Sequence, residues 1–156
     1  MPIPEFVVEI RKMIGHHEMW LPGVTAVVTR GDEVLLIRRA DNGAWTPITG
    51  IPEPGEEPGR AIAREALEET GVVITVDRLA STSVYPGVVH ANGDRASYLD
   101  LTFACSYVSG EAHVADDESR DVRWFPRDAL PEMDPSMTLR IADALSGEQA
   151  ARFVSS

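Results

Sequence analysis

The chain has 156 residues, of which 44% are apolar and 25% are charged, a composition typical of one globular domain with its own core. The formal net charge of −11 disfavours binding to duplex nucleic acid, and an anionic substrate would need a metal ion or local arginines. Residues 1–20 lack the apolar core of a signal peptide, and no apolar run approaches the roughly 20 residues of a membrane helix, so no membrane association is expected.

Apolar periodicity and turn residues predict two helices and two strands in the first half of the chain. In order these are a helix over about residues 4–14, strands over 21–30 and 34–40, and a helix over about 58–70. Residues 41–59 contain four glycines and four prolines, which predicts a loop, and loops of this length are usually functional. The first helix carries Phe6, Val7, Ile10 and Ile14 on one exposed face, which leads us to expect a homodimer.

The second half alternates strands with loops and ends in helices. Strands are predicted over 72–85, 97–108 and 121–126, loops over 86–96 and 109–119, and helices over 127–130 and about 136–153. Strands interleaved with few helices predict one α/β domain over residues 1–156, with a mixed sheet and helices on its faces.

The helix predicted over 58–70 separates apolar from acidic residues. Ile62, Ala66 and Leu67 fall on one side, and we expect them to pack on the sheet. Gly71 suits the left-handed position that follows a helix. The other side carries three glutamates within little more than one turn.

These glutamates are Glu65, Glu68 and Glu69, and their crowding needs a compensating charge. Neighbouring carboxylates raise one another's pKa unless a cation lies among them, and hard divalent ions such as Mg²⁺ take oxygen ligands. Arg64 precedes Glu68 by one turn and can pair with it. A solvated charged helix face is the alternative explanation, and the residues that flank the helix weigh against it.

The segment "GIPEPGEEPGRAIAREALEETGV", residues 50–72, has a spacing that is improbable by chance. It reads Gly50, five residues, Glu56, seven residues, Arg64-Glu65, a small apolar residue, any residue, Glu68-Glu69, any residue, Gly71 and an apolar residue. This matches every fixed position of the Nudix box, so the chain resembles the MutT-like Nudix hydrolase family. The resemblance implies a Nudix-type α/β/α sandwich and hydrolysis, with Mg²⁺ or Mn²⁺, of a nucleoside diphosphate linked to another group.

The resemblance also implies a role for each box residue. By position, Glu65 and Glu69 resemble the main metal ligands, and Glu68 resembles a further ligand or the residue that activates water. The carbonyl of Gly50 resembles a backbone ligand of the metal.

Two more box residues, Glu56 and Arg64, resemble a support for the metal helix. By position, Glu56 corresponds to an orienting residue that holds Arg64 in place.

The sequence before the box departs from the family. Many members read Trp-x-Leu-Pro-Gly-Gly, whereas residues 45–50 read "WTPITG". The substitution by Thr49 affects the loop that carries the Gly50 carbonyl, and therefore substrate placement, but leaves the glutamates unchanged.

Candidates outside the box are charged residues near strand ends. In many family members an acid in a loop before the last strand joins the metal site or acts as base, which suggests Glu118, and less so Asp116 or Asp117; a solvated loop is the alternative. Arg38 and Arg39 end the second strand, and because neighbours on a strand face opposite sides, at most one of them can contact substrate phosphates.

Aromatic and metal-binding side chains elsewhere are weaker candidates. Tyr98, Tyr85 or Trp20 could stack on a base, although packing is the more common role. The four histidines lack partners at metal-ligand spacing and are interpreted as structural or surface residues. Cys105 is the only cysteine and lies in an apolar strand, so it is expected to be buried, without a disulfide, in a reducing cytoplasm.

Two other functions remain to be weighed against hydrolysis. A catalytically weak, nucleotide-sensing Nudix module would usually lack some box glutamates, and here all are present. An isopentenyl diphosphate isomerase would need a cysteine ahead of the box. The substrate stays open between nucleoside triphosphates and ADP-ribose or nucleotide-sugar types, because Tyr85 and Pro86 do not fit the offsets typical of either subgroup that carries such a residue.

Overall fold

A computed structural model describes residues 3–156, so Met1 and Pro2, the start of the domain predicted over 1–156, lie outside the described residues. The elements in chain order are α1 (Glu5–Ile14), β1 (Met19–Arg30), β2 (Glu33–Arg39), β3 (Trp45–Thr46), β4 (Ile48–Gly50), α2 (Pro58–Thr70), β5 (Val73–Val89), β6 (Arg95–Ser109), β7 (Ser119–Pro126) and α3 (Pro135–Leu145). Within this range no helix is long and apolar enough to cross a membrane.

The strands of residues 3–156 form one mixed sheet in the order β3-β2-β1-β6-β5, with β4 paired to β1 and β7 paired to β2. β1 and β6 are parallel, and the other pairs are antiparallel. β1 changes partner along its length, because Arg30 pairs with Glu33 of β2 whereas Val24 pairs with Gly50 of β4. β3, β2 and β7 therefore form a small leaf that departs from β1.

The side chains of β1 alternate between two apolar layers, as in a strand that is buried on both faces. Val24, Ala26 and Val28 pack in the layer that contains α2, whereas Val27 packs in the layer that contains Ile141 of α3. The two helices thus cover opposite faces of the sheet. This confirms the predicted α/β/α sandwich with a mixed sheet.

The rotation of α2 about its axis differs from the prediction. Ile62 and Ala66 are fully buried as expected, but Leu67 is 50% exposed, so its predicted packing on the sheet is wrong. Glu65 lies on the buried face instead. A steric reason is visible at Gly50, where a Cβ atom would come within 2.5 Å of the Glu65 Cγ atom. The missing side chain of Gly50 leaves room for a carboxylate where the helix wheel placed only apolar residues.

Three predicted segments between elements need correction. The loop predicted over 41–59 contains β3 and β4, which are too short to show a side-chain pattern and are defined by backbone pairing with β2 and β1. The loop predicted over 86–96 is partly strand, because β5 extends to Val89 and β6 begins at Arg95. Residues 127–130 form a turn rather than a helix.

The C-terminal helix is shorter than the predicted 136–153. α3 ends at Leu145, and Gly147 adopts a left-handed conformation with φ of 73°. The chain then returns to the sheet, where the Arg152 N–H donates to the Ala80 carbonyl over 2.9 Å. This pairing with β5 replaces the last turns of the predicted helix.

The apolar face of α1 packs on its own chain. Val7 is buried, and Phe6 and Ile10 are half-buried against a cluster that includes Leu21 of β1. Only Ile14 among the predicted exposed residues remains so, at 36%. The exposed face from which the homodimer was predicted is therefore largely covered by the sheet, and the homodimer itself stays a prediction.

Candidate active site

Two glutamates of α2 are buried against the sheet, one turn apart. Glu65 is 0% exposed and Glu69 is 2% exposed. Each has one carboxylate oxygen, Oε2, that is buried without a hydrogen-bond partner among the described residues. Burial is the main cause that raises the pKa of Glu65 to about 7 and that of Glu69 to about 8. Buried carboxylate oxygens without a partner are costly unless a cation or a proton compensates them.

Arg64 joins three carboxylates at the open side of this pair. Its Nε and Nη2 atoms donate to the two oxygens of Glu56, each over 2.9 Å, and Nη1 donates to Glu65 and Glu68, each over 3.1 Å. The predicted contacts of Arg64 with Glu56 and Glu68 are thus confirmed. These contacts of Arg64 with the three glutamates are here called the clamp. The backbone N–H of Glu53 donates to the carboxylate of Glu56 over 2.9 Å and so holds the Glu56 end of the clamp. Arg64 in turn lowers the pKa of Glu56.

Gly50 brings the backbone of β4 against the carboxylate of Glu65. It pairs with Val24 in β1, and a side chain at this position would overlap Glu65, with a Cβ atom 2.7 Å from Oε1. The predicted role of the Gly50 carbonyl as a metal ligand remains a prediction. The position itself fits that role, because backbone and carboxylate oxygens are ligands of the same kind.

A second group of carboxylates meets the C-terminal end of α2. Oxygen atoms of Glu69, Asp116 and Glu118 lie within 4.8 Å of one another. The loop is held there because the Ala115 N–H donates to the Glu69 carbonyl over 3.1 Å. Glu118, the favoured loop candidate, thus lies beside the box, as does Asp116, whereas the grouped residues do not include Asp117. Repulsion from Asp116 adds to the raised pKa of Glu69.

The two arginines at the end of β2 separate as neighbours on a strand should. The Arg39 Nε and Nη2 atoms donate to the two carboxylate oxygens of Asp41 over 2.9 and 2.7 Å. Arg39 also lies close enough to Glu69 for each charge to affect the other's pKa. Arg38 lies over the ring of Trp45, 6.0 Å from its centroid. Of the two, the charge of Arg39 acts on the acidic cluster, and a substrate contact of either arginine stays a prediction.

The aromatic candidates are mainly packing residues. Tyr98 is half-buried in the cluster that covers α1, its hydroxyl lies 3.0 Å from the His90 Nε2 atom, and burial raises its pKa. Tyr85 lies beneath the guanidinium of Arg140, and Trp20 is 60% exposed. The charge of Arg39 opposes this rise in the pKa of Tyr98, and base stacking by Tyr98 stays a prediction.

The donor set suits a hard divalent cation. All the groups gathered at this end of α2 offer oxygen atoms, and the described residues include two buried carboxylate oxygens that lack a partner there. Oxygen donors of this kind fit Mg²⁺ or Mn²⁺ rather than a thiolate-seeking metal. The residues present therefore fit the metal that the sequence predicts.

Comparison with known proteins agrees with the fold. The NUDIX domain family matches residues 19–145. A MutT-like protein from Streptomyces ambofaciens is 38% identical over 126 residues, which cover 80% of this chain and 76% of that protein. The NAD-capped RNA hydrolase NudC from Pseudomonas aeruginosa is 37% identical over 114 residues, 72% of this chain but only 38% of that enzyme.

Solved structures show the same architecture. A NUDIX hydrolase from Nitrosomonas europaea superposes with a TM-score of 0.69 at 26% identity, covering 85% of this chain and 93% of that one. A UDP-X diphosphatase superposes with a TM-score of 0.68 at 23% identity, covering 92% and 71%. The fold and the acidic helix are those of the Nudix hydrolase class. The chain belongs to the Nudix hydrolase family.

Proposed function

We propose that this protein is a divalent-metal-dependent pyrophosphohydrolase that cleaves the pyrophosphate linkage of a nucleoside diphosphate joined to another group. The observation that carries the proposal is the pair of buried glutamates, Glu65 and Glu69, whose Oε2 atoms lack a partner among the described residues. A purely structural helix face would gain nothing from burying two carboxylates, because an isolated buried charge is strongly unfavourable.

The ion would be held by Glu65 and Glu69, with Glu68, the Gly50 carbonyl and the carboxylate of Glu118 as further ligands. When bound, it supplies charge neutralisation for the two phosphates and lowers the pKa of a water molecule. The family resemblance, the three glutamates within little more than one turn of α2, and the position of Glu118 beside Glu69 support this assignment.

The protein's own charged groups prepare the site for an anion. Arg64 fixes the carboxylates of Glu65 and Glu68, and Glu56 fixes Arg64 in turn. Arg39 offers a cation beside Glu69 to a phosphate oxygen. Two carboxylates are candidates to accept the proton of the attacking water: Glu68, which is half exposed and held by Arg64, and Glu118, which lies beside Glu69.

The substrate is proposed at the level of class. Nucleoside triphosphates, ADP-ribose and nucleotide sugars follow from the family resemblance. The NudC relatives are named for action on NAD-capped RNA, so NAD(H) and NAD-capped RNA join the candidates. The match covers only 38% of NudC, so the substrate of NudC is a candidate to be tested on this chain and is not assigned to it.

One assay tests the proposal. Purified protein is incubated with Mg²⁺ and each candidate substrate, and the release of mononucleotide, phosphate or pyrophosphate is measured. We expect turnover of at least one substrate that disappears with a chelator and returns with Mg²⁺. Tight binding of a nucleotide without turnover, with Mg²⁺ present, would favour the nucleotide-sensing module instead. The cytoplasmic location and the homodimer predicted from the sequence remain predictions. Light scattering, which measures the mass in solution, would test the homodimer.

A further inference from the structure

Three arginines gather on one surface of the small leaf. Arg38, Arg120 and Arg123, here called the arginine patch, are exposed, and the side chain of Arg123 is 62% exposed. The chain as a whole carries a formal net charge of −11. A local group of cations on such a protein attracts an anion that the rest of the surface repels.

The patch is organised around Trp45. Trp45 of β3 pairs with Arg38 of β2, and Arg38 pairs with Asp121 of β7, so the three residues form a row across the leaf. The guanidinium carbons of Arg38 and Arg123 lie 6.0 and 5.7 Å from the centroid of the Trp45 ring. Contacts of this kind hold a guanidinium in place while its N–H groups still point outward.

Two of the three charges have no carboxylate partner within residues 3–156. The Arg38 Nε atom donates to the Gly43 carbonyl over 3.0 Å, and the Arg120 Nη2 atom donates to the Ala40 carbonyl over 2.6 Å. Each guanidinium has five N–H donors, so most remain available to an incoming acceptor. Arg123 pairs with Asp121 over 2.6 Å at the surface, where an ion pair is weak and exchangeable.

The patch is joined to the acidic cluster through the turn between β2 and β3. The Ala40 N–H donates to the Glu118 carbonyl over 2.7 Å, while the Ala40 carbonyl accepts from Arg120. Arg39, whose charge acts on Glu69, is next to Arg38 in the strand. A ligand that extends from the acidic cluster across the edge of the leaf would therefore reach the patch, because one turn connects the two.

We propose that the arginine patch binds the phosphates of a single-stranded oligonucleotide attached to the substrate on the far side of its pyrophosphate. The inference rests on the proposed function and narrows it to substrates that carry a nucleic-acid chain. Three guanidiniums in one patch offer contacts to more than one phosphate, and arginine planes can also stack on unpaired bases. A duplex would bring far more of its charge against the acidic surface.

Binding is tested first, without reference to activity. Fluorescence anisotropy would measure the affinity of a labelled, 5′-phosphorylated RNA of roughly ten nucleotides, a length suited to one such surface. The test variant is Arg38→Gln/Arg123→Gln, and the matched control, Arg60→Gln/Arg127→Gln, removes the same charge elsewhere. We expect the test variant alone to weaken binding about tenfold and to reduce the salt slope by about 1.4, for two phosphates at about 0.7 each.

Kinetics then separate this inference from the proposed function. The ratio of kcat/KM for an oligonucleotide-linked pyrophosphate to kcat/KM for the corresponding small molecule should fall about tenfold in the test variant and stay constant in the control. Equal ratios or equal affinities in the two variants would overturn the inference, as would wild-type protein that binds duplex as well as single strand. If the wild type hydrolyses small substrates and the patch substitutions change neither RNA affinity nor the kcat/KM ratio, the inference fails and the proposed function stands. If the wild type hydrolyses none of the substrates, the proposed function fails.

Discussion

Replacement of Glu69 by glutamine should stabilise the protein when no divalent ion is present. Glu69 is 2% exposed, and burial, with repulsion from Glu65 and Asp116, raises its pKa from 4.5 to about 8. The folded state therefore binds a proton at pH values where the unfolded chain has released it. Because the folded state binds more protons, the free energy of unfolding falls as pH rises from about 4.5 through about 8.

The size of the effect follows from the difference between the two pKa values. A shift from 4.5 to about 8 is about 3.5 units, which at 1.36 kcal/mol per unit gives about 5 kcal/mol at pH 9. At pH 6 only the interval above 4.5 counts, which gives about 2 kcal/mol. Glutamine is neutral at both pH values, so Glu69→Gln should exceed the metal-free wild type by about these amounts.

Urea unfolding in the presence of a chelator, at pH 6 and at pH 9, measures both values. Glu68→Gln is the matched control, because it removes the same charge from the same helix at a side chain that is 53% exposed. Addition of Mg²⁺ should stabilise the wild type more than Glu69→Gln. The reasoning is refuted if Glu69→Gln is less stable than the wild type at pH 9 without metal, or if the difference between them is the same at both pH values.

Three further substitutions test other contacts. Gly50→Ala would place a Cβ atom 2.5 Å from the Glu65 Cγ atom and should weaken Mg²⁺ binding at least tenfold by isothermal titration; an unchanged affinity would contradict the close approach. Glu56→Gln should lower kcat about tenfold with a Tm change of a few degrees at most, because the pair with Arg64 is partly exposed. A large fall in Tm with an unchanged kcat would mean that Glu56 is structural. Ile62→Ala, at 0% exposure, should cost about 3 kcal/mol and lower Tm by roughly 10 °C in calorimetry, and a neutral result would contradict the packing of α2.

The clamp on α2 could be predicted because its contacts are local in sequence. The spacing of Arg64 and Glu68, one turn apart on the helix, predicts their pairing. The family resemblance implies the pairing of Glu56 with Arg64, and both contacts are present at hydrogen-bond distance. The bounds of α2 follow from the same local signals, a proline at its first turn and a glycine just beyond its end.

The rotation of α2 could not be predicted, because a helix wheel assumes that apolar residues define the buried face. Here Leu67 is left at the surface while Glu65 is buried, since the side chain of Glu65 fills the space above Gly50. A site that binds a cation breaks the usual pattern of burial, so the failure of the wheel coincides with the proposed function.

The placement of Asp116 beside Glu69, rather than Asp117, and the position of Trp45 could not be predicted for a different reason. Asp116 reaches the cluster because backbone hydrogen bonds tie its loop to the end of α2, and such long-range pairing leaves no pattern in the sequence. The pairing of Trp45 with Arg38 depends on a strand of two residues inside a segment whose glycines and prolines predict a loop.

The most direct measurement for the central claim is the turnover of Glu69→Gln on the best substrate from the panel, at saturating Mg²⁺. A catalytic ion contributes several kcal/mol of charge stabilisation, so loss of one of its ligands should lower kcat by at least ~10² while the variant remains folded. Turnover near that of the wild type would contradict the assignment of Glu69 to the metal site. Unfolding of the variant would mean that the buried glutamates are structural, and that the proposed function lacks the observation on which it stands.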